Sequence, residues 1–324
     1  MSQPLLRLED VHVHFPIAQG LLKPPRHLRA VNGVSLAVEP GTTLGIVGES
    51  GCGKSTLARA ILGIHPPTHG KIWLGDQELT SMAPKPLRAM RKRMQIVFQD
   101  PLASLNPRMT IGEAIMEPLR VFFPEMSALQ RKRKAQAMME RVGLLPNQIN
   151  RYPHEFSGGQ CQRVGIARAL VVEPELLLCD EPVSALDVSI QAQIVNLLME
   201  LKQDMGLTML FIAHDLSVVR HISDRVMVMY LGKVAEQAER DALYQAPAHP
   251  YTQVLIESVP VPDPVIERGK SRAPLSGDLP SPLNPPSGCT FRTRCPKAQS
   301  ACATDVPELR EHHGGQGAVA CHFA

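Results

Sequence analysis

No run of this chain approaches the roughly 20 apolar residues that a membrane-spanning helix needs. The longest candidates, such as ELLLC, have the length of a core strand. A membrane span of its own is therefore not expected. The first ten residues, MSQPLLRLED, lack both a basic start and an apolar core segment, so no secretion signal is visible. Basic residues form no long tract, and the formal charge is only +3, which gives nucleic-acid binding no compositional support. Cysteine is also sparse, with seven in 324 residues, yet four of them fall in the last 36. A cytosolic setting is the default for such a chain, and there disulfides are disfavoured. Metal ligation and idle thiols both remain open for the cysteine-rich end.

What is present is an alternation of strand and helix patterns. Residues 5–15, LLRLEDVHVHF, alternate apolar and polar and read as a half-exposed strand. His12 and His14 share its polar face, and with no third ligand nearby a solvated face is expected there. VNGVSLAVEPGTTLGIVGES reads as strand, Pro-Gly turn and strand, and KSTLARAILGI follows with helical spacing. RMQIVFQD is another apolar strand, residues 101–170 have helical texture, and ELLLCDE and LTMLFIAHD return to strand with a helical stretch between them. Strands alternating with helices predict an α/β fold on a mostly parallel sheet, interrupted by a helical insertion. Arg131, Lys132, Arg133 and Lys134 lie in that insertion and read as a solvated helix face. Eight prolines between 260 and 286 predict a stiff connector, so the cysteine tail is expected to hang from the core on its own strap.

GESGCGKS, Gly48 to Ser55, fits G-x-x-x-x-G-K-[ST] and lies between an apolar strand and a helix, the context that pattern needs. Its parts, Gly48, Glu49, Ser50, Gly51, Cys52, Gly53, Lys54, Ser55 and the following Thr56, are the expected phosphate cradle. Backbone N–H groups wrap phosphate, the helix N-terminus adds positive potential, and Lys54 reaches the terminal phosphates. Ser55 is placed to hold Mg²⁺. Cys52 lies inside the loop and is expected to do no chemistry itself, with oxidation as the minor alternative. Far along the chain LLLCDE brings Asp180 to a strand end as a second Mg²⁺ contact, and Glu181 is the candidate to polarise an attacking water, against a merely structural acid.

The segment FSGGQ, residues 156–160, adds a second anion-seeking helix start. One nucleotide is not easily embraced by both, and a head-to-tail dimer resolves this, with each ATP clamped between one chain's P-loop and the other's Ser157, Gly158 and Gly159. With these motifs the chain resembles the ABC ATPase family over about residues 5–250. VFQDP places Gln99 at the Q-loop, SALD places Asp187 at the D-loop, and IAHD places His214 as the switch histidine. The resemblance implies that Gln99 senses Mg²⁺ and the partner, that Asp187 and Gln160 act across the dimer, and that His214 contacts the γ-phosphate. It also implies an aromatic on the adenine, for which Phe15 is the candidate, with core packing as the alternative. Phe156 stands where leucine is usual and Cys161 where a basic residue is usual, so one positive charge beside the phosphate clamp is expected to be missing.

The fold implied is a P-loop ABC ATPase core with an N-terminal antiparallel β subdomain, an inserted helical subdomain and a small Cys-rich extension. Its parts are 1–100 with 165–250 as the core, 101–164 as the helical subdomain, 251–288 as connector and 289–324 as extension. FQDPLASLNPRMTI, RYPHEFSGGQ, HDLSVVRHISD, HPYTQ and LPSPLNPPSGC look like the ATP-binding subunits of bacterial dipeptide and oligopeptide importers, most like the second, dipeptide-type ATPase. Nickel, glutathione and antimicrobial-peptide relatives share much of this pattern. The resemblance implies a heterodimer with a second ATPase, two separate permeases docking on residues 101–155, an external binding protein, and a place at the cytoplasmic membrane face. Cys289, Cys295, Cys302 and Cys321 have the spacing C-x5-C-x6-C-x18-C, and their chemistry suits zinc or an iron–sulfur cluster. The resemblance implies a [4Fe–4S] cluster that would supply the fold a small, apolar-poor tail lacks.

Overall fold

The structure, a computed structural model, describes residues 3–18, 24–259 and 279–324. The strands are β1 (Leu6–Ile17), β2 (Arg26–Val38), β3 (Thr43–Val47), β4 (His69–Leu74), β5 (Gln77–Glu78), β6 (Met94–Val97), β7 (Leu176–Asp180), β8 (Thr208–Ile212), β9 (Arg225–Tyr230), β10 (Lys233–Glu239), β11 (Arg310–His312) and β12 (Gly317–Val319). The helices are α1 (Lys54–Ile61), α2 (Pro84–Met90), α3 (Ile111–Phe122), α4 (Ala128–Arg141), α5 (Gly158–Leu170), α6 (Val188–Met205), α7 (Leu216–Ile222), α8 (Arg240–Gln245), α9 (Pro250–Glu257) and α10 (Ala301–Thr304). They fall into two compact units.

The first unit comprises Met1–Leu5, Val38–Thr42 and Ser81–Ile212. Strands β6, β7 and β8 run parallel in it, with Leu178 paired to Ile96 on one side and Leu210 on the other. Every residue of β7 and β8 is buried. Unbroken apolar runs such as LLLC suit a strand covered on both faces, which explains the lack of alternation there. Helices α3, α4 and α5 start on capping boxes: Glu113 N–H donates to Thr110 Oγ1, Gln130 N–H to Ser127 Oγ and Gln160 N–H to Ser157 Oγ. Gly206, at φ 63°, stops α6 in the left-handed conformation that glycine adopts without penalty. On α4, Lys132 and Arg133 are exposed, while Lys134 pairs with Glu173 at 2.8 Å.

The second unit comprises Leu6–Ala37, Thr43–Thr80 and Ala213–Ala324. One of its sheets has the order β2-β1-β4-β5. In β1 the alternation slips: Leu6 and Leu8 are buried, then Val11 and Val13. The register explains this, because Glu9 faces Lys71 and His12 faces His69, which leaves Asp10 and Val11 opposite Gly70 alone. This is a β-bulge, and Asp10 sits in it at φ 47°. In the other sheet β3 is parallel to β9, β9 antiparallel to β10, and β10 pairs β12, which pairs β11. The cysteine-bearing segment is thus knitted into this sheet, with Glu236 opposite Val319 and Ala238 opposite Gly317. Phe291, 1% exposed, packs between Tyr230, Tyr251 and His249 at ring separations of 5.2, 5.3 and 5.6 Å. Where the sequence suggested a tail on a strap, strand pairing and an aromatic core tie the segment down. Half of the expected connector, residues 260–278, and part of the insertion after Phe15, residues 19–23, lie outside the described residues.

Candidate nucleotide site

The loop after β3 folds as its glycines require. Gly48, Gly51 and Gly53 have φ of 152°, 78° and 106°, values that side chains rarely tolerate. A Cβ on Gly48 would strike the Met229 carbonyl and lie 2.8 Å from Cys52 Sγ, and one on Gly53 would strike the Ala30 carbonyl. Lys54 is 4% exposed, and its Nζ donates to the Gly48 carbonyl at 2.8 Å and the Glu49 carbonyl at 3.1 Å. A buried ammonium ringed by a glycine loop at the start of α1 is the donor set that polyphosphate takes. Cys52 is 2% exposed, and burial pushes its thiol up. A side chain walled by the loop itself gives an oxidant no open approach.

A contact unforeseen in the sequence braces this loop. The Glu49 carboxylate accepts two hydrogen bonds from Arg294, at 2.7 and 3.0 Å, across 245 positions. The Arg294 side chain is 7% exposed. Glu49 N–H donates to the Tyr251 hydroxyl at 2.9 Å, so the same residue is held through both side chain and backbone. Tyr251 is set by the start of α9, where its N–H donates to His249 Nδ1 at 3.0 Å. Burial pushes the His249 imidazole down to about 4, and as an acceptor at Nδ1 it is neutral. The wholly buried Glu236 carboxylate caps α9 by accepting from Ala248 N–H and His249 N–H, both at 2.9 Å. The residues that carry the brace, Tyr251 in HPYTQ and Arg294 in FRTRC, share no spacing rule with Glu49.

In the first unit Asp180 ends β7 at 4% exposure. Glu181 follows with φ 50°, a conformation that costs free energy unless its surroundings hold it. Its N–H donates to the Ile212 carbonyl at 3.0 Å, its carbonyl accepts from Ser184 Oγ at 3.1 Å, and its carboxylate accepts from Gln99 Nε2 at 2.9 Å. Gln99 and Glu181 are therefore partners. Cys179, just before them, is fully buried and its thiol is pushed far up by burial.

Ser157 and Asp187 come together at one corner of that unit, as the N-caps of α5 and α6. A Cβ on Gly159 would lie 2.6 Å from Ile190 Cγ2, so glycine lets the two helix starts close. Ser157 and Asp187 are exposed, and Val188 beside them is 82% exposed. Cys161 is wholly buried with Sγ 3.5 Å from the Pro153 carbonyl. The position faces the helical core of that unit. In the second unit His214 is exposed, one residue before the Asp215 cap of α7. Phe15 is half-buried and meets His65 edge-on at 5.4 Å.

The sequence matches the family described as ABC transporter over residues 31–184, and the family described as oligopeptide/dipeptide transporter, C-terminal region, over residues 235–302. It is 60% identical over 309 residues to the oligopeptide transport ATP-binding protein OppF of Escherichia coli, covering 94% of this chain and 92% of the relative. It is 51% identical to the oligopeptide transport ATP-binding protein AppF of Bacillus subtilis, covering 99% and 98%. Among solved structures it resembles the ATP-binding cassette MJ0796, described as dimeric in a post-hydrolysis state with ADP and Pi, at TM-score 0.65 and 29% identity over 72% of this chain and 98% of that one. CbiO1 of Clostridium perfringens gives TM-score 0.65 at 26% identity, over 76% of this chain and 92% of that one.

One expectation is overturned. The [4Fe–4S] cluster assigned to Cys289, Cys295, Cys302 and Cys321 has no counterpart in these matches, whose descriptions concern ABC transport and peptides alone. All four are free thiols lining one pocket, and burial pushes the Cys289 and Cys295 thiols up. The premise fails as well, because Phe291 and β12 already give the segment its core.

Proposed function

This chain belongs to the ABC transporter ATP-binding proteins of oligopeptide transport, and from that membership we propose that its cargo is peptide and that it drives import through separate permease chains. It is an ATPase motor. The observation that carries the reading is a phosphate cradle built around Lys54 in a chain matched over 94% of its length by a protein named for oligopeptide transport.

The residues divide the work as follows. Loop N–H groups and the Lys54 ammonium neutralise the phosphates of ATP. By donor type Ser55, Gln99 and Asp180 suit Mg²⁺, which when bound screens the phosphate charge. Glu181 orients water and accepts its proton, and the 2.9 Å bond from Gln99 aims that carboxylate. His214 holds the γ-phosphate, and Phe15 lies against adenine. Ser157, Gly158, Gly159, Gln160 and Asp187 act on the nucleotide of a second ATPase subunit. The exposure of Val188 supports this, since an apolar side chain so bare at a helix start suits burial in a partner. That second subunit is a homologous but different ATPase.

No helix among the described residues is long and apolar enough to cross a membrane, so permeases must supply the path. Residues 101–155 present the exposed Leu102, Val121, Leu145 and Tyr152, an apolar surface for docking at the cytoplasmic membrane face. An external binding protein delivers the peptide. The reading is tested by uptake of labelled dipeptide, longer peptide and Ni²⁺ in a strain lacking the gene. Loss of peptide uptake with Ni²⁺ uptake intact supports it, and the reverse pattern overturns the peptide assignment.

A further inference from the structure

The bulge in β1 assembles a group that the sequence leaves scattered. His12 and His69 are direct cross-strand partners on β1 and β4. Asp10 is turned onto their face, with Oδ1 3.0 Å from His12 Nε2 and Oδ2 3.3 Å from His69 Nδ1. One ligand atom from each of the three residues lies within 4.8 Å of the other two. Ligands about 2.0 Å from a tetrahedral ion stand roughly 3.3 Å apart, so both contacts have the length of an edge of such a site. The third ligand missing near His12 and His14 in the sequence is supplied from 57 positions on.

The outer nitrogen of His12 is held as well. Its Nδ1 lies 3.2 Å from Asn32 Oδ1, and a carbonyl oxygen on the far ring nitrogen is how a metal-bound histidine is commonly oriented.

The cradle is also rigid and open. Thr68 N–H and Oγ1 both donate to the His12 carbonyl, at 2.8 and 3.2 Å. Asp10 N–H donates to Ser35 Oγ at 2.9 Å, and a Cβ on Gly70 would strike the Asp10 carbonyl. Gly33, at φ 80°, keeps the approach clear: a Cβ there would lie 3.3 Å from Asp10 Oδ1 and 3.7 Å from the His12 ring.

We propose that Asp10, His12 and His69 form a binding site for a divalent transition-metal ion of the Zn²⁺ class, with Asn32 orienting His12. The bound ion staples the bulge of β1 to β4. It is independent of the nucleotide chemistry.

The test is calorimetric titration of the full chain with Zn²⁺, in excess Mg²⁺ and with the cysteines reversibly blocked as mixed disulfides. One Zn²⁺ per chain is expected, with a rise in melting temperature, because the ion binds the folded chain only. Asp10→Asn and His69→Ala each abolish this, Asn32→Ala weakens it about tenfold, and His14→Ala leaves it unchanged. Asparagine accepts the left-handed conformation at position 10 and the His69 side chain is 71% exposed, so both variants keep the fold, as their melting in chelator will show. Zinc binding that survives both substitutions overturns the site. So does absence of Zn²⁺ binding by the unsubstituted chain.

Discussion

Arg294, between the first two cysteines of the C-terminal segment, grips Glu49 of the phosphate loop through both of its terminal nitrogens. The carboxylate in turn holds the guanidinium firmly cationic. A segment that reads as an appendage is therefore structurally part of the nucleotide site's wall. Arg294→Met leaves the Glu49 carboxylate in place without its partner, and a loss of about 1–3 kcal/mol is expected, since charge-assisted pairs contribute more than neutral ones. Chemical denaturation measures the loss, and ATP affinity should fall with it. Glu49→Gln should cost less, because an amide oxygen still accepts one of the two bonds. Equal stability of wild type and Arg294→Met would show the brace to be idle.

His249 gives the same region a pH dependence. The unfolded imidazole takes up a proton near pH 6.5, whereas burial delays this in the folded chain to about pH 4. Between these values the unfolded state binds the extra proton, so stability is full above about pH 6.5 and falls as pH drops. The total is about 3 kcal/mol at 1.36 kcal/mol per unit. Melting temperature against pH should show this slope, and His249→Asn, which retains an acceptor for the Tyr251 N–H, should flatten it.

Glu181→Gln should retain ATP binding and lose about 10²–10⁴-fold in turnover, the range general-base catalysis supplies. Gln99→Ala frees the carboxylate from its 2.9 Å bond and should lower turnover less, by misaiming it. Single-turnover hydrolysis separates the two from binding defects. Near-normal turnover in Glu181→Gln would remove that residue from its role.

Gly159→Ala places a methyl group 2.6 Å from Ile190 Cγ2 and should cost about 1–3 kcal/mol by overpacking. Ser157→Ala removes the cap of α5 at about 1 kcal/mol. The two differ in isolation only modestly, yet both should impair ATP-dependent dimer formation, which light scattering reads directly.

The nucleotide motifs were legible because a phosphate loop needs glycines and a lysine at fixed local spacing, and such patterns survive in one dimension. The buried strand β7 was legible for the same reason, as four apolar residues running into Asp180. The bulge at Asp10 was not, because a one-residue slip leaves the alternation on either side intact and only the partner strand reveals it. The Arg294–Glu49 pair was invisible because 245 positions separate residues that carry no joint spacing rule. The tail misled for a compositional reason: it looked too poor in apolar residues to fold, yet Phe291 borrows its core from Tyr230 and Tyr251.

The central claim is that ATP hydrolysis by this chain powers peptide import. The most direct measurement is labelled-peptide accumulation in proteoliposomes holding the permeases and the ATPase subunits, this chain among them, with ATP on the side of the ATPases. Accumulation that requires ATP and the peptide-binding protein, and that collapses when this chain carries Glu181→Gln, is the predicted result. Undiminished accumulation with Glu181→Gln, or hydrolysis that never moves peptide, would contradict the account.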